Sequence, residues 1–188
     1  QKGPRVIDQF DGSGKVAVVT GGSGVIGGVM ARGLRENGAK VYITERKEER
    51  LQAMQQELSQ YGECVAIAAD MSKVEGIEAF VAAVSEQEDH LDILINNAGL
   101  NRNAPAAEIE MSDFDDIHRI NLRAPVRLIK AVLPGMRERR WGRIVNLCSI
   151  WSKVVRPGGG SYAASKFGLD GFTVAIAAEA ASDGVLVN

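Results

Sequence analysis

Short, nearly unbroken apolar runs alternate along this chain with longer stretches in which apolar positions recur every three or four residues. The runs at 15–20, 39–44, 63–69, 91–96 and 142–147 predict strands, and a sixth begins at 185–188. Between them, helices are predicted over 25–37, 46–61, 74–89, 112–139 and 162–181. In the longest of these, Ser112 is placed as the cap ahead of an acidic first turn, and Pro125 is expected to kink or break the helix. The central strands do not alternate apolar with polar, which is the pattern of a parallel sheet covered on both faces. Repeated strand–helix units joined by right-handed crossovers predict an α/β fold with a doubly wound parallel sheet, read as one domain over 1–188. No internal repeat, low-complexity tract or linker interrupts it, apart from a glycine run at 158–160.

Composition narrows the function classes. A chain of 188 residues, 45% hydrophobic and 24% charged, can bury a substantial core without metals or disulfides. Its net charge of -2 gives no overall attraction to nucleic acid or an anionic membrane, and the basic stretch at 137–143 reads as a solvated helix end. Its two cysteines, Cys64 and Cys148, lack metal-binding spacing, so a reducing, cytoplasmic compartment and no metal are expected. The apolar runs are too short to cross a bilayer. The first residues show no secretory leader, and the initial glutamine reads as a processed or trimmed start.

The first strand runs into Thr20-Gly21-Gly22-Ser23-Gly24-Val25-Ile26-Gly27, which opens a helix. Gly22, Gly24 and Gly27 fit the G-x-G-x-x-G pattern, in which glycines permit a tight turn, close approach of backbone to a pyrophosphate, and close packing of helix on strand. A helix N-terminus adds free amides and a positive dipole end. The second strand leads to Glu45, eighteen residues after Gly27, where an acid can accept hydrogen bonds from ribose hydroxyls and repel a 2′-phosphate. Arg46 follows, and an arginine there could instead hold that phosphate. NAD is the preferred reading and NADP the alternative.

Tyr162 and Lys166 stand one helical turn apart, with Ser149 thirteen residues upstream. A nearby ammonium favours the phenolate and lowers a tyrosine pKa. Bringing a phenol from near pH 10 toward neutrality takes roughly 4 kcal/mol of differential stabilisation. Such a group can exchange a proton with a substrate oxygen.

With these residues placed, the chain resembles the short-chain dehydrogenase/reductase family. The resemblance rests on five ordered segments: the glycine turn, Asp70-Met71, Asn96-Asn97-Ala98-Gly99, Asn121, and Ser149 with Tyr162 and Lys166. It implies that Gly21, Ser23, Gly24, Ile26, Gly27, Glu45, Arg46, Asp70, Met71, Asn97, Ala98 and Gly99 hold a dinucleotide, with Asp70 at the adenine. It further implies Tyr162 as acid/base, Lys166 on the nicotinamide ribose, Ser149 on the reacting oxygen, and Asn121 holding a water that links Lys166 to solvent. The activity so implied is hydride transfer between NAD(P) and an alcohol or carbonyl compound, in a homodimer or homotetramer built on helices 112–139 and 162–181.

Two departures accompany the resemblance. Val25 stands where this family type has glycine, which brings the turn closer to sugar-nucleotide epimerases. The chain also ends at Asn188, where the family continues through a substrate-covering segment and a last strand. A non-catalytic cofactor-binding protein and an epimerase-like enzyme are therefore the alternatives. Cys148 reads as core packing instead of a nucleophile, His90 and His118 as surface or helix residues, and Trp151 as either pocket wall or core.

Overall fold

The computed structural model describes residues 11–188. Strands β1 (Val16–Thr20), β2 (Lys40–Glu45), β3 (Cys64–Ala68), β4 (Ile93–Asn96), β5 (Gly142–Asn146) and β6 (Val185–Val187) form one parallel sheet. Their order is β3-β2-β1-β4-β5-β6. The intervening helices are α1 (Val25–Glu36), α2 (Glu48–Ser59), α3 (Val74–Ser85), α4 (Met111–His118), α5 (Ala124–Glu138) and α6 (Gly160–Ala180).

The unbroken apolar runs have a direct cause. Along β1, Val18 joins the core beneath α3, α5 and α6, with Tyr42, Phe80, Leu94 and Leu128. Its neighbours Ala17 and Val19 join the opposite core beneath α1 and α2, with Val41, Ile43 and Leu51. Side chains on a strand alternate between faces, and here both faces are covered, so both sets must be apolar. Each large apolar side chain buried this way contributes roughly 1.5–3 kcal/mol.

From β1 the chain builds β2 and β3 to one side, then crosses back to place β4 on the other. The order reverses between β1 and β4, and above the carboxyl ends of such strands a crevice opens.

The long helix expected over 112–139 is interrupted. The chain runs through α4, then a π turn over Arg119–Arg123, then α5. Ser112 is not the cap: Glu110 occupies that position and makes no side-chain capping bond. Nor does Pro125 break the helix, because it sits in the first turn of α5, where its missing N–H is not required. The last long helix starts at Gly160, two residues ahead of Tyr162. The readings of the extreme N-terminus fall on residues 1–10, outside the described residues.

Candidate active site

The glycine turn forms where β1 ends. Gly21 has φ of +65°, a backbone region that favours glycine. A β-carbon at Gly27 would stand 2.2 Å from the Gly21 carbonyl oxygen, so only glycine lets α1 approach the turn. Gly24 is the N-cap of α1, without a side-chain cap and without an acidic residue in the first turn. The first-turn amides are therefore unspent donors aimed out of the carboxyl edge of the sheet. Val25 is 87% exposed, so this departure from the family pattern falls outside the packing of helix on strand.

Thr20 fastens the next segment. Its hydroxyl oxygen accepts the N–H groups of Asn97 and Ala98, both at 3.0 Å. The Asn97 amide donates back to the carbonyls of Thr20 and Gly21 at 2.9 and 3.2 Å. Asn97–Gly99 is thereby held across the point where the strand order reverses.

Two clefts meet there, both bordered by Gly99 and Leu100. The first, about 120 Å³, is lined by Gly21, Glu45, Arg46, Asp70, Met71 and Ala98. Its Glu45 carboxylate accepts, through Oε2, the hydroxyl of the buried Ser23 at 2.7 Å. Asp70 accepts the N–H and the hydroxyl of Ser72 at 2.9 and 2.7 Å. Burial acts to raise the Asp70 pKa, but these bonds and the nearby Arg46 and Lys73 outweigh it and hold the carboxyl below its ordinary value.

The second cleft, about 260 Å³, is lined by Ile26, Asn97, Asn101, Cys148, Tyr162 and Lys166 among others. Lys166, 4% exposed, donates to the Leu147 carbonyl at 2.5 Å and stands 5.7 Å from the Tyr162 ring centroid. Burial pulls its pKa below the ordinary lysine value, with Cys148 acting weakly the other way. While protonated, the buried ammonium costs stability; that cost begins to lift as pH rises through the lowered pKa and is gone above the ordinary lysine value. Cys148 is itself pushed up, first by burial and then by Asp170, which suits a packed thiol better than a nucleophile.

Asn121 lies within the π turn and is fully buried. Its amide oxygen accepts the Leu100 N–H at 2.7 Å, and its nitrogen donates to the Leu100 carbonyl at 2.8 Å and to Ser165 Oγ at 3.0 Å. The Ser165 hydroxyl passes its own hydrogen to the Tyr162 carbonyl at 2.7 Å. A chain of bonds thus ties the loop after β4 to the helical turn that presents Tyr162. Ser149 closes the group: it caps the short turn Ile150–Ser152, and its oxygen accepts the Trp151 N–H at 3.1 Å. The Trp151 ring meets the Tyr162 ring edge-on, with centroids 5.5 Å apart.

The candidate binding and catalytic residues thus lie on the crevice or in the turns and bonds that frame it. Three contributors were not legible in the sequence. Thr20 and Ser165 work through their hydroxyls, and Leu147 through its carbonyl. Ser165 had one available signal, its spacing of three residues from Tyr162; a backbone carbonyl has none.

The crevice fits a dinucleotide by its own features: two clefts joined at Gly99, two carboxylates in one, unspent amides at the turn beside them, and a tyrosine–lysine pair in the other. Among the described residues no cluster of His, Cys, Asp or Glu could hold a metal, and no helix is long and apolar enough to cross a membrane.

Comparison with known proteins agrees. The family profile described as short chain dehydrogenase matches residues 15–188. The 3-oxoacyl-[acyl-carrier-protein] reductase of Vibrio cholerae is 41% identical over 175 residues, covering 93% of this chain and 71% of the relative. The 2-dehydro-3-deoxy-D-gluconate 5-dehydrogenase of Formosa agariphila is 34% identical over 184 residues, covering 97% and 70%. A metagenomic short-chain oxidoreductase crystallised with NADP superposes with a TM-score of 0.90 at 36% identity, covering 93% of this chain and 80% of that one.

Proposed function

The chain belongs to the short-chain dehydrogenase family, and from that membership we propose which of its residues carry the reaction. It is an oxidoreductase that transfers hydride between a nicotinamide dinucleotide, NAD or NADP, and an alcohol or carbonyl substrate. The epimerase-like and non-catalytic alternatives are not favoured by the relatives, which are named as reductases and dehydrogenases.

When bound, the cofactor supplies the hydride chemistry. The chain supplies the rest. In carbonyl reduction the Tyr162 hydroxyl gives its proton to the carbonyl oxygen as negative charge gathers there; in alcohol oxidation the substrate O–H proton moves to the tyrosine oxygen. The Ser149 hydroxyl still has its hydrogen to give, because it only accepts from Trp151, and that hydrogen serves the same oxygen. Lys166 spends one hydrogen on Leu147, leaving two for the ribose hydroxyls. Asn121 is a positioning residue. Both hydrogens of its amide are committed, so a water there would be held by its acceptor oxygens.

The observation that carries this reading is the linked set Leu100–Asn121–Ser165–Tyr162 beside a buried Lys166. We favour NAD over NADP because Ser23 fixes the Glu45 carboxylate at the ribose side of the first cleft. Helices α4 to α6 are the surface proposed for self-association. Phe167 and Val174 are exposed on α6 and offer apolar area to a second copy. Two free cysteines suit a reducing cytoplasm.

A fluorescence titration of the purified chain with NADH and with NADPH tests the cofactor site. Saturable binding, tighter for NADH, is expected; binding of neither overturns the assignment of the clefts.

A further inference from the structure

The segments bordering the catalytic cleft carry several cations, and most are neutralised within the protein. Arg102 is paired with Asp113 and Asp116, and Lys153 with Asp170. Arg156 has no carboxylate partner among the described residues. It lies instead over the ring of Trp151, 5.2 Å from the centroid.

That indole is itself fixed. Its main-chain N–H is held by Ser149, and its ring meets the ring of Tyr162. Its other edge lies against Gly159, where a β-carbon would come within 2.5 Å of Cζ3. The guanidinium is thus stationed one aromatic ring away from the catalytic tyrosine. Stacking on an aromatic face leaves the in-plane N–H donors of an arginine free, and their fork matches the two oxygens of a carboxylate. Arg156 is exposed beside the second cleft, whose wall includes Tyr162 and Asn101, and the Asn101 amide is a group suited to hydroxyls.

We infer that Arg156, seated on Trp151, recognises a carboxylate on the substrate, so that the alcohol or carbonyl handled at Tyr162 belongs to a small polyhydroxylated acid. This rests on the oxidoreductase reading above and names its substrate class. The acid keeps its carboxylate unchanged: its carbinol carbon would give hydride to the oxidised nicotinamide, its hydroxyl proton would pass to the Tyr162 oxygen, and a keto acid leaves.

The test is calorimetric, on the chain saturated with NADH so that no alcohol is turned over. Gluconate, galactonate and mannonate are titrated, each beside the alditol of the same skeleton: glucitol, galactitol and mannitol. At least one acid is expected to bind tenfold or more tightly than its alditol. Arg156→Ala should abolish that ratio while NADH binding stays within twofold, and Arg156→Lys should restore part of it, since it keeps the charge without the fork. A preference that survives Arg156→Ala, equal binding in every pair, or binding of acetoacetyl-coenzyme A with none of the aldonates would each overturn the inference. Failure of NADH itself to bind would overturn the cofactor reading, a separate result read before any acid is added.

Discussion

The hollows at the two ends of this sheet differ in what their polar groups are doing. Toward the amino ends of the strands, between α3 and α5, a cavity of about 440 Å³ is floored by Val18, Phe80, Leu94 and Leu128. It is roomier than either cleft at the carboxyl edge, and it has charged groups at its rim. Most of them are occupied. Glu88 takes the Tyr42 hydroxyl and Lys40, His90 faces Asp92 at 3.3 Å, and Arg139 donates to the Leu91 carbonyl at 2.7 Å. At the carboxyl edge the first-turn amides of α1, the Ser149 hydrogen and two hydrogens of Lys166 have no such employment. Volume alone does not mark a site; donors held in place with nothing to donate to do.

Mutation can break or sharpen this contrast. Tyr162→Phe is expected to have the largest effect, a loss of about 10³-fold in turnover, within the range of a positioned acid/base. Its NADH affinity should stay within about twofold, since a ring is retained; retained turnover would remove Tyr162 from the chemistry. Asn121→Ala comes next. It strands the half-buried Leu100 N–H and carbonyl, and urea unfolding should show a loss of about 1–2 kcal/mol, with turnover falling as the Tyr162 turn loosens. If stability holds while turnover falls, the residue does more than position.

Ser23→Ala should act more gently. Losing one hydrogen bond to a carboxylate, worth about 1 kcal/mol, should narrow the NADH-over-NADPH ratio by about fivefold in paired titrations. An unchanged ratio would mean that Glu45 needs no clamp. Arg139→Ala, at the rim of the amino-end cavity, should do least: stability within about 0.5 kcal/mol, with cofactor binding and turnover unmoved. A fall in turnover there would show that the two ends of the sheet are coupled, and the contrast would fail.

The strands and the order of elements were legible because burial on both faces leaves a local mark, the unbroken apolar run. The glycine turn was legible for a similar reason: tight geometry restricts residue type at neighbouring positions. What escaped the sequence is non-local or belongs to the backbone. Ser23 and Glu45 are 22 residues apart and meet only once β2 lies beside β1. The Leu147 carbonyl that receives Lys166 leaves no trace in side-chain identity. The interruption between α4 and α5 was anticipated at the wrong residue, because Pro125 is the conspicuous breaker whereas Asn121 is what the π turn accommodates. Asn121 as an unfavourable mid-helix choice was the better clue.

That π turn also says what kind of genetic change the site cannot absorb. A π turn is a helix carrying one residue more than regular winding accommodates. Deleting a single codon, that of Ile120 for instance, would let Arg119–Arg123 relax into ordinary helix joining α4 to α5 without a break. The bulge already absorbs that extra residue, so α4 and α5 would keep their phase, and the change would fall on the backbone around Asn121, which would return to regular winding. Asn121 could not then face Leu100 and Ser165 while α5 kept Leu128 and Ile129 in the core. The reading frame around the π turn should therefore tolerate substitution far better than loss, a pattern that deep sequencing of a codon-deletion library would expose.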